Sequence, residues 1–199
     1  MSTQIEREFV FQAGVYFEEE FLMNVYDISL SMFVETDSIR EQNIAMDRIK
    51  YFLSECLESS VFVEETEKKA IEKFQAAGIK VCTLPEEPYD QIVTLVLLMK
   101  LNAITEGKLL VTDIVLCSEL SDGVKFIYDY ESVDAANPFK KGWWLESNAQ
   151  ITNPEKSNKR DKIVKLVKAV NDWAPLDLDW KEKPSCTTEI IFNTEDKLP

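Results

Sequence analysis

The side chains available for chemistry in this sequence are carboxylates, lysines, tyrosines and cysteines, because its 199 residues include no histidine. Histidine is the commonest zinc ligand and the side chain best suited to proton transfer near neutral pH. Its absence excludes Ser–His–Asp and Cys–His hydrolysis within a single chain. The sequence therefore predicts no catalytic residue, no metal site and no cofactor, and any catalysis would depend on the remaining groups.

Thiol chemistry is one of the possibilities that remain. The four cysteines stand 26, 35 and 69 residues apart, with no C-x-x-C pair among them: Cys56, Cys82, Cys117 and Cys186. Cys82 forms a thiol–carboxylate grouping with Glu86, Glu87 and Asp90, but neighbouring carboxylates raise the pKa of a thiol and weaken it as a nucleophile. We therefore expect core cysteines in a reducing compartment, with a disulfide left open for Cys186 alone.

The charge of the chain limits its partners. Its 36 acids and 22 bases give a net charge of −14. A phosphate backbone would be repelled by this charge, so nucleic-acid binding is not expected. A basic run between Lys156 and Lys168 is interpreted as the solvated face of a late helix.

Membrane insertion is not expected either. The most apolar stretch, Ile92–Met99, is about half of the roughly 18 residues needed to span a bilayer. The first residues, Met1–Glu8, contain no basic run leading into an apolar segment, so no signal peptide is predicted. We expect a cytoplasmic protein.

The first part of the chain has the pattern of a strand pair followed by a helix. Alternating apolar residues predict strands over Glu8–Phe17 and Val25–Glu35, joined by a short acidic link as an antiparallel hairpin. Ser38 is the predicted N-cap of the helix that follows, with Glu41 completing a capping box. That helix is expected to continue through Leu57.

The middle of the chain adds helices and a second hairpin. A helix is predicted from Thr66 to a C-terminal Gly78. The segment Tyr89–Thr105 is apolar on nearly all faces, as expected of a buried helix. Strands over Lys108–Leu120 and Val124–Tyr130 flank an Asp-Gly turn. Imperfect alternation in the first of them indicates a bulge.

The last third differs in character. A basic amphipathic helix is predicted over Asn158–Trp173, and an edge strand over Thr188–Phe192. Four tryptophans also stand here, and they suit either anchors for a long tail or contacts with a second subunit or partner: Trp143, Trp144, Trp173 and Trp180.

Taken together, the elements predict an α+β fold. Paired strands at each end with helices between them favour an antiparallel sheet with helices packed on one face, in the order ββααββ. Residues 1–134 form the predicted core domain, and residues 135–199 a C-terminal helical appendage packed on it.

This order of elements resembles the tunnelling fold, or T-fold, of pterin- and purine-handling proteins. Three stretches add to the resemblance, which covers residues 8–132: Leu57–Val63 after the first helix, Thr83–Pro88 before the next main helix, and Val115–Glu119 before the final turn. The zinc-dependent members of that family need histidines on the early strands, so zinc-dependent activity is not carried over.

The resemblance implies a role for Glu119. It stands where the family has a glutamate that grips the flat ring of the ligand, and a carboxylate accepts two parallel N–H bonds from an amino-pyrimidinone edge. T-fold proteins usually form rings with the ligand between subunits. The alternative is that Glu119 is a surface residue beside a hairpin turn.

Three functions follow from these observations. The first is a non-enzymatic assembly or interaction protein that self-associates or binds a protein partner. Leu84–Gly107 faintly resembles uncharacterised small proteins of large tailed bacteriophages, which is consistent with an assembly or interaction protein. The second is a metal-free purine- or pterin-binding protein, sensor or enzyme, that uses Glu119. The third is an acidic inhibitor of a basic partner.

Overall fold

The computed structural model describes residues 3–136, 138–153 and 173–181. These residues form one six-stranded sheet and four α-helices. The strands are β1 Gln4–Phe17, β2 Glu20–Val34, β3 Ser60–Glu64, β4 Lys80–Leu84, β5 Leu109–Ser118 and β6 Lys125–Asp129. The helices are α1 Ile39–Tyr51, α2 Lys68–Ala76, α3 Asp90–Thr105 and α4 Tyr130–Ala136.

The antiparallel half of the sheet confirms the two predicted hairpins. The strand order is β4-β3-β1-β2-β5-β6, with β1, β2, β5 and β6 antiparallel to their neighbours in this part. Phe17 pairs with Glu20, so the link between β1 and β2 is only two residues long. The predicted bulge is also present, because Thr112 is the extra residue where the β2–β5 register shifts.

The other half of the sheet differs from a purely antiparallel one. Strand β3 pairs in parallel with β1, and β4 pairs in parallel with β3. These two segments read in the sequence as a short apolar run and an extended link. A parallel strand covered on both faces has no polar alternation, which is why the pattern did not distinguish them.

Helices cover both faces of the sheet, whereas the sequence predicted helices on one face. The apolar residues of α1, α3 and α4 share the main core with the inward side chains of the antiparallel strands. Helix α2 packs instead against Val61, Val63 and Val81, whose side chains alternate with the core residues Phe62 and Cys82. Successive strand residues point to opposite faces, so α2 lies on the other face.

Helix α1 begins as predicted and ends differently. The Ser38 side chain accepts a bond from the Glu41 N–H at 3.3 Å, which confirms the N-cap. Only half of the capping box forms, because the Glu41 carboxylate binds the Thr36 hydroxyl at 2.6 Å and the Lys108 ammonium at 3.1 Å instead. The last predicted turn is a π-helical segment, Phe52–Leu57.

Helix α3 is the centre of the molecule. As predicted, it is buried on nearly all faces and ends at a left-handed Glu106 followed by Gly107. Its fully buried Lys100 donates bonds to the carbonyls of Trp143 at 3.0 Å and Glu146 at 2.7 Å. The charged end of Lys100 therefore fastens the beginning of the predicted appendage to the core.

Several predictions concern residues outside the described ranges or are not tested by the fold. Most of the predicted basic helix, the Thr188–Phe192 strand and Cys186 lie outside the described residues. The division at residue 134 stays a prediction, and α4 crosses it by ending at Ala136. Within the described ranges, no helix is both long and apolar enough to cross a membrane.

Candidate functional site

A cavity of about 460 Å³ opens at the end of the sheet where three segments meet. These segments are the tip of the β1–β2 hairpin, the beginning of α3 and the β5–β6 connection. Small-molecule sites usually have volumes of roughly 300–1,000 Å³ and apolar walls with a few fixed polar groups. The lining residues fit that description: Val15, Phe17, Leu22, Asn24, Pro88, Tyr89, Asp90, Gln91, Leu120, Ser121, Val124 and Phe126.

Asn24 is the most constrained polar group of this cavity. It lies on the inward face of β2 and is 2% exposed. Its Oδ1 accepts bonds from the N–H groups of Val25 at 3.0 Å and Leu120 at 3.2 Å. Its Nδ2 has no hydrogen-bond partner among the described residues. A buried amide that keeps unused donors is costly, typically by about 1–3 kcal/mol, so it is a site at which a ligand acceptor would be favoured.

Asp90, the first residue of α3, supplies a carboxylate to the same cavity. Ser118 Oγ donates a 2.6 Å hydrogen bond to Asp90 Oδ2. Partial burial raises the pKa of this carboxyl, while the bond from Ser118 opposes the rise. The bond fixes one carboxylate oxygen of a residue that lines the cavity.

The first turn of α3 adds main-chain donors. The first N–H groups of a helix have no acceptor within the helix itself. Tyr89 is the N-cap and makes no side-chain capping bond. Asp90 and Gln91, the next two residues, both line the cavity. The cavity wall thus includes two residues whose N–H groups have no acceptor within the helix.

Tyr26 lies beneath Asn24 on the same face of β2. Its side chain is completely buried, and its hydroxyl has no hydrogen-bond partner in the described part of the chain. Burial raises the pKa of this phenol far above its usual value. Hydrogen bonding with the Asn24 side chain acts in the opposite direction, although the contact lies outside the distance and angle limits of a regular hydrogen bond. Tyr26 is therefore a neutral phenol, with its ring stacked on Phe11 at 5.0 Å between centroids.

Aromatic and aliphatic side chains form the walls. The rings of Phe17 and Tyr89 lie 5.1 Å apart between centroids. Leu120 and Val124, both more than half exposed, stand at the mouth. Such walls suit a flat apolar face, while the amide and the carboxylate suit a polar edge.

Glu119 lies beside this cavity and does not line it. It begins the short 3₁₀ turn Glu119–Ser121 that follows β5, and its side chain is exposed. The next two residues, Leu120 and Ser121, do line the cavity. A ligand contact by Glu119 stays a prediction.

The four tryptophans are placed in or against the core. Trp143, Trp144 and Trp173 are at most 5% exposed, and Trp180 is partly buried. The indole N–H of Trp143 donates to the Thr83 carbonyl at 2.7 Å. These are the surroundings of anchors for the chain's own tail, and a contact with a partner stays a prediction.

The cysteines and acids form no second centre in the described ranges. Cys82 is completely buried, and burial raises its pKa well above that of a free thiol. Burial also raises the pKa of Cys56 to about 11. Among described residues, no three cysteines or carboxylates are grouped closely enough to hold a metal ion.

Sequence reasoning missed Asn24 and Asp90. The signal for Asn24 was a polar residue in phase with the inward apolar residues of β2, one position before the predicted strand start. Asp90 carried no such signal, because an acid in the first turn of a helix is commonplace. Only the meeting of β2, α3 and the β5–β6 connection joins the two in one cavity.

Comparison with known proteins gives similarities of fold only. No family model and no curated protein matches the sequence. A crystal structure of an uncharacterised protein from Wolinella succinogenes is similar with a TM-score of 0.45 and 10% identity, over 65% of this chain and 99% of that one. A catalytic-residue mutant of 6-pyruvoyltetrahydropterin synthase from Plasmodium vivax has a TM-score of 0.40 and 8% identity, over the same shares.

Proposed function

We propose that this protein binds a planar heteroaromatic molecule of the purine or pterin class in the cavity at the beginning of α3. The observation that carries the proposal is Asn24. It is a buried amide whose Nδ2 has no partner among the described residues, and it lines the same cavity as the Asp90 carboxylate.

The hydrogen-bonding groups of the cavity match the edge of such a ring. An amino-pyrimidinone edge presents one carbonyl acceptor beside ring N–H and amino donors. Asn24 Nδ2 is a donor for the carbonyl, and the Asp90 carboxylate is an acceptor for the N–H groups. Hydrogen bonds to an ionised group are stronger than neutral ones, so Asp90 would supply most of the orientation.

The walls match the faces of the ring. Apolar surface is presented to the cavity by Phe17, Tyr89, Leu120 of the β5–β6 connection and Phe126 of β6. Aromatic side chains favour stacked or edge-to-face contacts with a flat ring. The cavity volume of about 460 Å³ accommodates a bicyclic molecule.

The test is ligand binding measured as thermal stabilisation and by calorimetry, with guanine and pterin as probes. A probe present at about 100 times its dissociation constant adds about 2.7 kcal/mol to the free energy of unfolding. The proposal is wrong if neither probe stabilises the wild-type protein at the limit of its solubility.

Two isosteric variants locate the contacts. Asn24→Asp keeps the Oδ1 acceptor that the Leu120 N–H uses and replaces the free donor by an oxygen, so binding should weaken at least tenfold. Asp90→Asn keeps an acceptor for Ser118 and should weaken binding similarly. Glu119→Gln is the companion variant, because the T-fold resemblance assigns the ligand carboxylate to Glu119. A loss with Glu119→Gln but not with Asp90→Asn would move that role to Glu119.

The second candidate is an assembly protein, favoured by the apolar mouth of the cavity. Leu22, Leu120 and Val124 are each between 44% and 54% exposed. Clustered exposed apolar residues often mark contacts with another chain. Light scattering tests this candidate, because an oligomer that Leu120→Lys dissociates would support it and a monomer at high concentration would contradict it.

A further inference from the structure

The three segments around the cavity mouth are strongly acidic. Residues 17–24, 85–91 and 118–126 contain eight acids and one base, Lys125. The acids are Glu18, Glu19, Glu20, Glu86, Glu87, Asp90, Glu119 and Asp122. Seven of them are exposed, and the eighth, Asp90, lines the cavity. We call the seven exposed acids the acidic rim.

Tyr89 connects the acidic rim with the cavity. This residue is 48% exposed and lines the cavity. The pKa of its phenol is raised first by a hydrogen bond with Glu87, and further by burial and by the charges of Glu87 and Glu18. Acids from the hairpin tip and from the loop before α3 therefore act at the same point of the mouth.

Two acids of the rim occupy unfavourable backbone positions. Glu18 and Glu19 form the two-residue turn between β1 and β2, with φ angles of 50° and 65°. Such a turn requires the left-handed conformation at both positions and strongly prefers Asn-Gly. Folding stability alone would thus favour other residues at this tip. A function that needs negative charge at the mouth of the cavity would explain why glutamates stand there.

The beginning of α3 does not compensate for this charge. A helix N-terminus carries roughly half a positive charge and by itself favours anions. Here Glu86, Glu87 and Asp90 lie within or just before the first turn. Three carboxylates outweigh half a positive charge, so a phosphate at this helix end would meet net repulsion.

Resting on the proposed function, we propose that the ligand is a purine or pterin with a cationic substituent, such as an amine, which projects from the cavity toward the acidic rim. The ring occupies the cavity between Asn24 and Asp90. The substituent lies among the carboxylates, so uncharged rings bind less tightly. Phosphorylated forms such as nucleotides are rejected.

Three probes with the same base test the proposal: 9-ethylguanine, 9-(2-aminoethyl)guanine and guanosine 5′-monophosphate. By calorimetry at low salt, we expect the amine to bind at least tenfold more tightly than the ethyl compound and the monophosphate at least tenfold more weakly. The advantage of the amine should shrink as salt is raised from about 10 to 500 mM, because the Debye length falls from about 30 Å to a few ångströms.

The outcomes separate this inference from the proposed function. Equal binding of the ethyl and amine probes, or tight binding of the monophosphate, overturns the cationic ligand and leaves ring binding intact. Failure of all three probes together with guanine and pterin overturns both.

A turn variant gives an independent readout. Glu18→Asn/Glu19→Gly should raise the melting temperature of the free protein, since it introduces the preferred turn residues. It should also reduce the amine's advantage severalfold while leaving 9-ethylguanine unaffected. The matched control is Glu6→Gln/Glu8→Gln, which removes two exposed acids from the same hairpin, roughly 33–43 Å farther along β1. An equal reduction in both double variants would contradict a role for the rim.

Discussion

The guanidinium carbon of Arg48 lies 3.8 Å from the ring centroid of Trp180, which places a charged side chain of α1 directly over an indole of the segment 173–181. The same guanidinium lies 4.7 Å from the ring centroid of Trp173. Its Nε donates to the Leu178 carbonyl at 2.8 Å. Arg48 thus links α1 to the segment 173–181 in two ways: its guanidinium stacks on two indole rings and donates a hydrogen bond to the backbone of the segment.

Replacing Arg48 tests this link. Arg48→Met removes the hydrogen bonds that Arg48 donates to the carbonyls of Leu178 and Ile104. It also removes the ion pair with Glu106, whose atoms are 2.7 Å apart. Hydrogen bonds from charged groups contribute about 1.5–3 kcal/mol each, so urea unfolding should show a loss of about 3 kcal/mol. The control is Lys50→Met on the same helix, whose exposed pair with Asp47 is worth less than about 1 kcal/mol. Similar losses for the two variants would mean that the link contributes nothing specific.

The strands of the sheet show what the sequence could and could not predict. Alternating residues predicted β1, β2, β5 and β6, because one face of each is buried and the other is not. The same rule could not find β3 and β4, where Val61, Phe62 and Val63 are all buried.

The candidate site was hidden for a related reason. The bond from the Leu120 N–H to Asn24 Oδ1 joins residues 96 positions apart, and no local pattern encodes such a contact. Local chemistry did predict the Ser38 cap and Gly78, whose φ of 76° suits a helix C-terminus. Conformations set by neighbours along the chain were thus predictable, whereas the cavity depends on tertiary packing.

Lys100 should make stability depend on pH in a definite direction. Burial lowers its pKa to about 8, from 10.5 for a free lysine. The folded state therefore disfavours the charged amine. This cost is present in full below pH 8 and is relieved as the pH rises from about 8 to 10.5, because the unfolded chain then binds more protons than the folded one.

The measurement is a comparison of the wild type with Lys100→Met, by urea unfolding at pH 7 and at pH 10. Titrations of other groups largely cancel in the difference. The wild type should gain up to about 3 kcal/mol relative to the variant over this range, since a tenfold change in proton affinity corresponds to about 1.4 kcal/mol. A difference that stays constant with pH would show that Lys100 titrates normally.

Gly142 should be needed for the burial of Trp144. A Cβ placed at Gly142 would lie 2.3 Å from ring atoms of Trp144, which is 1% exposed and has little room to move. Its φ of 156° is also unfavourable for other residues. Gly142→Ala should therefore reduce the free energy of unfolding by about 2–4 kcal/mol, combining an overpacked core with backbone strain.

Gly107→Ala separates these two effects. Gly107 has a φ of 72°, and a Cβ there would meet no atom within 4 Å. Its replacement should cost only the backbone term of about 1–2 kcal/mol. If both alanine variants lose the same stability, the ring of Trp144 does not restrict residue 142.

The thiols should react in an order set by burial. Cys82 is 0% exposed, Cys56 is partly buried with a pKa raised to about 11, and Cys117 is partly exposed on β5. Only the thiolate reacts with alkylating agents, so a raised pKa slows modification as burial does.

With iodoacetamide at pH 8, peptide mapping by mass spectrometry should find Cys117 modified first among these three, and Cys82 modified only at the rate of unfolding. In urea the three rates should converge, because the order belongs to the folded state. Early modification of Cys82 in the native protein would instead mean that the β3–β4 side of the core opens readily, and that this thiol is accessible to substrates after all.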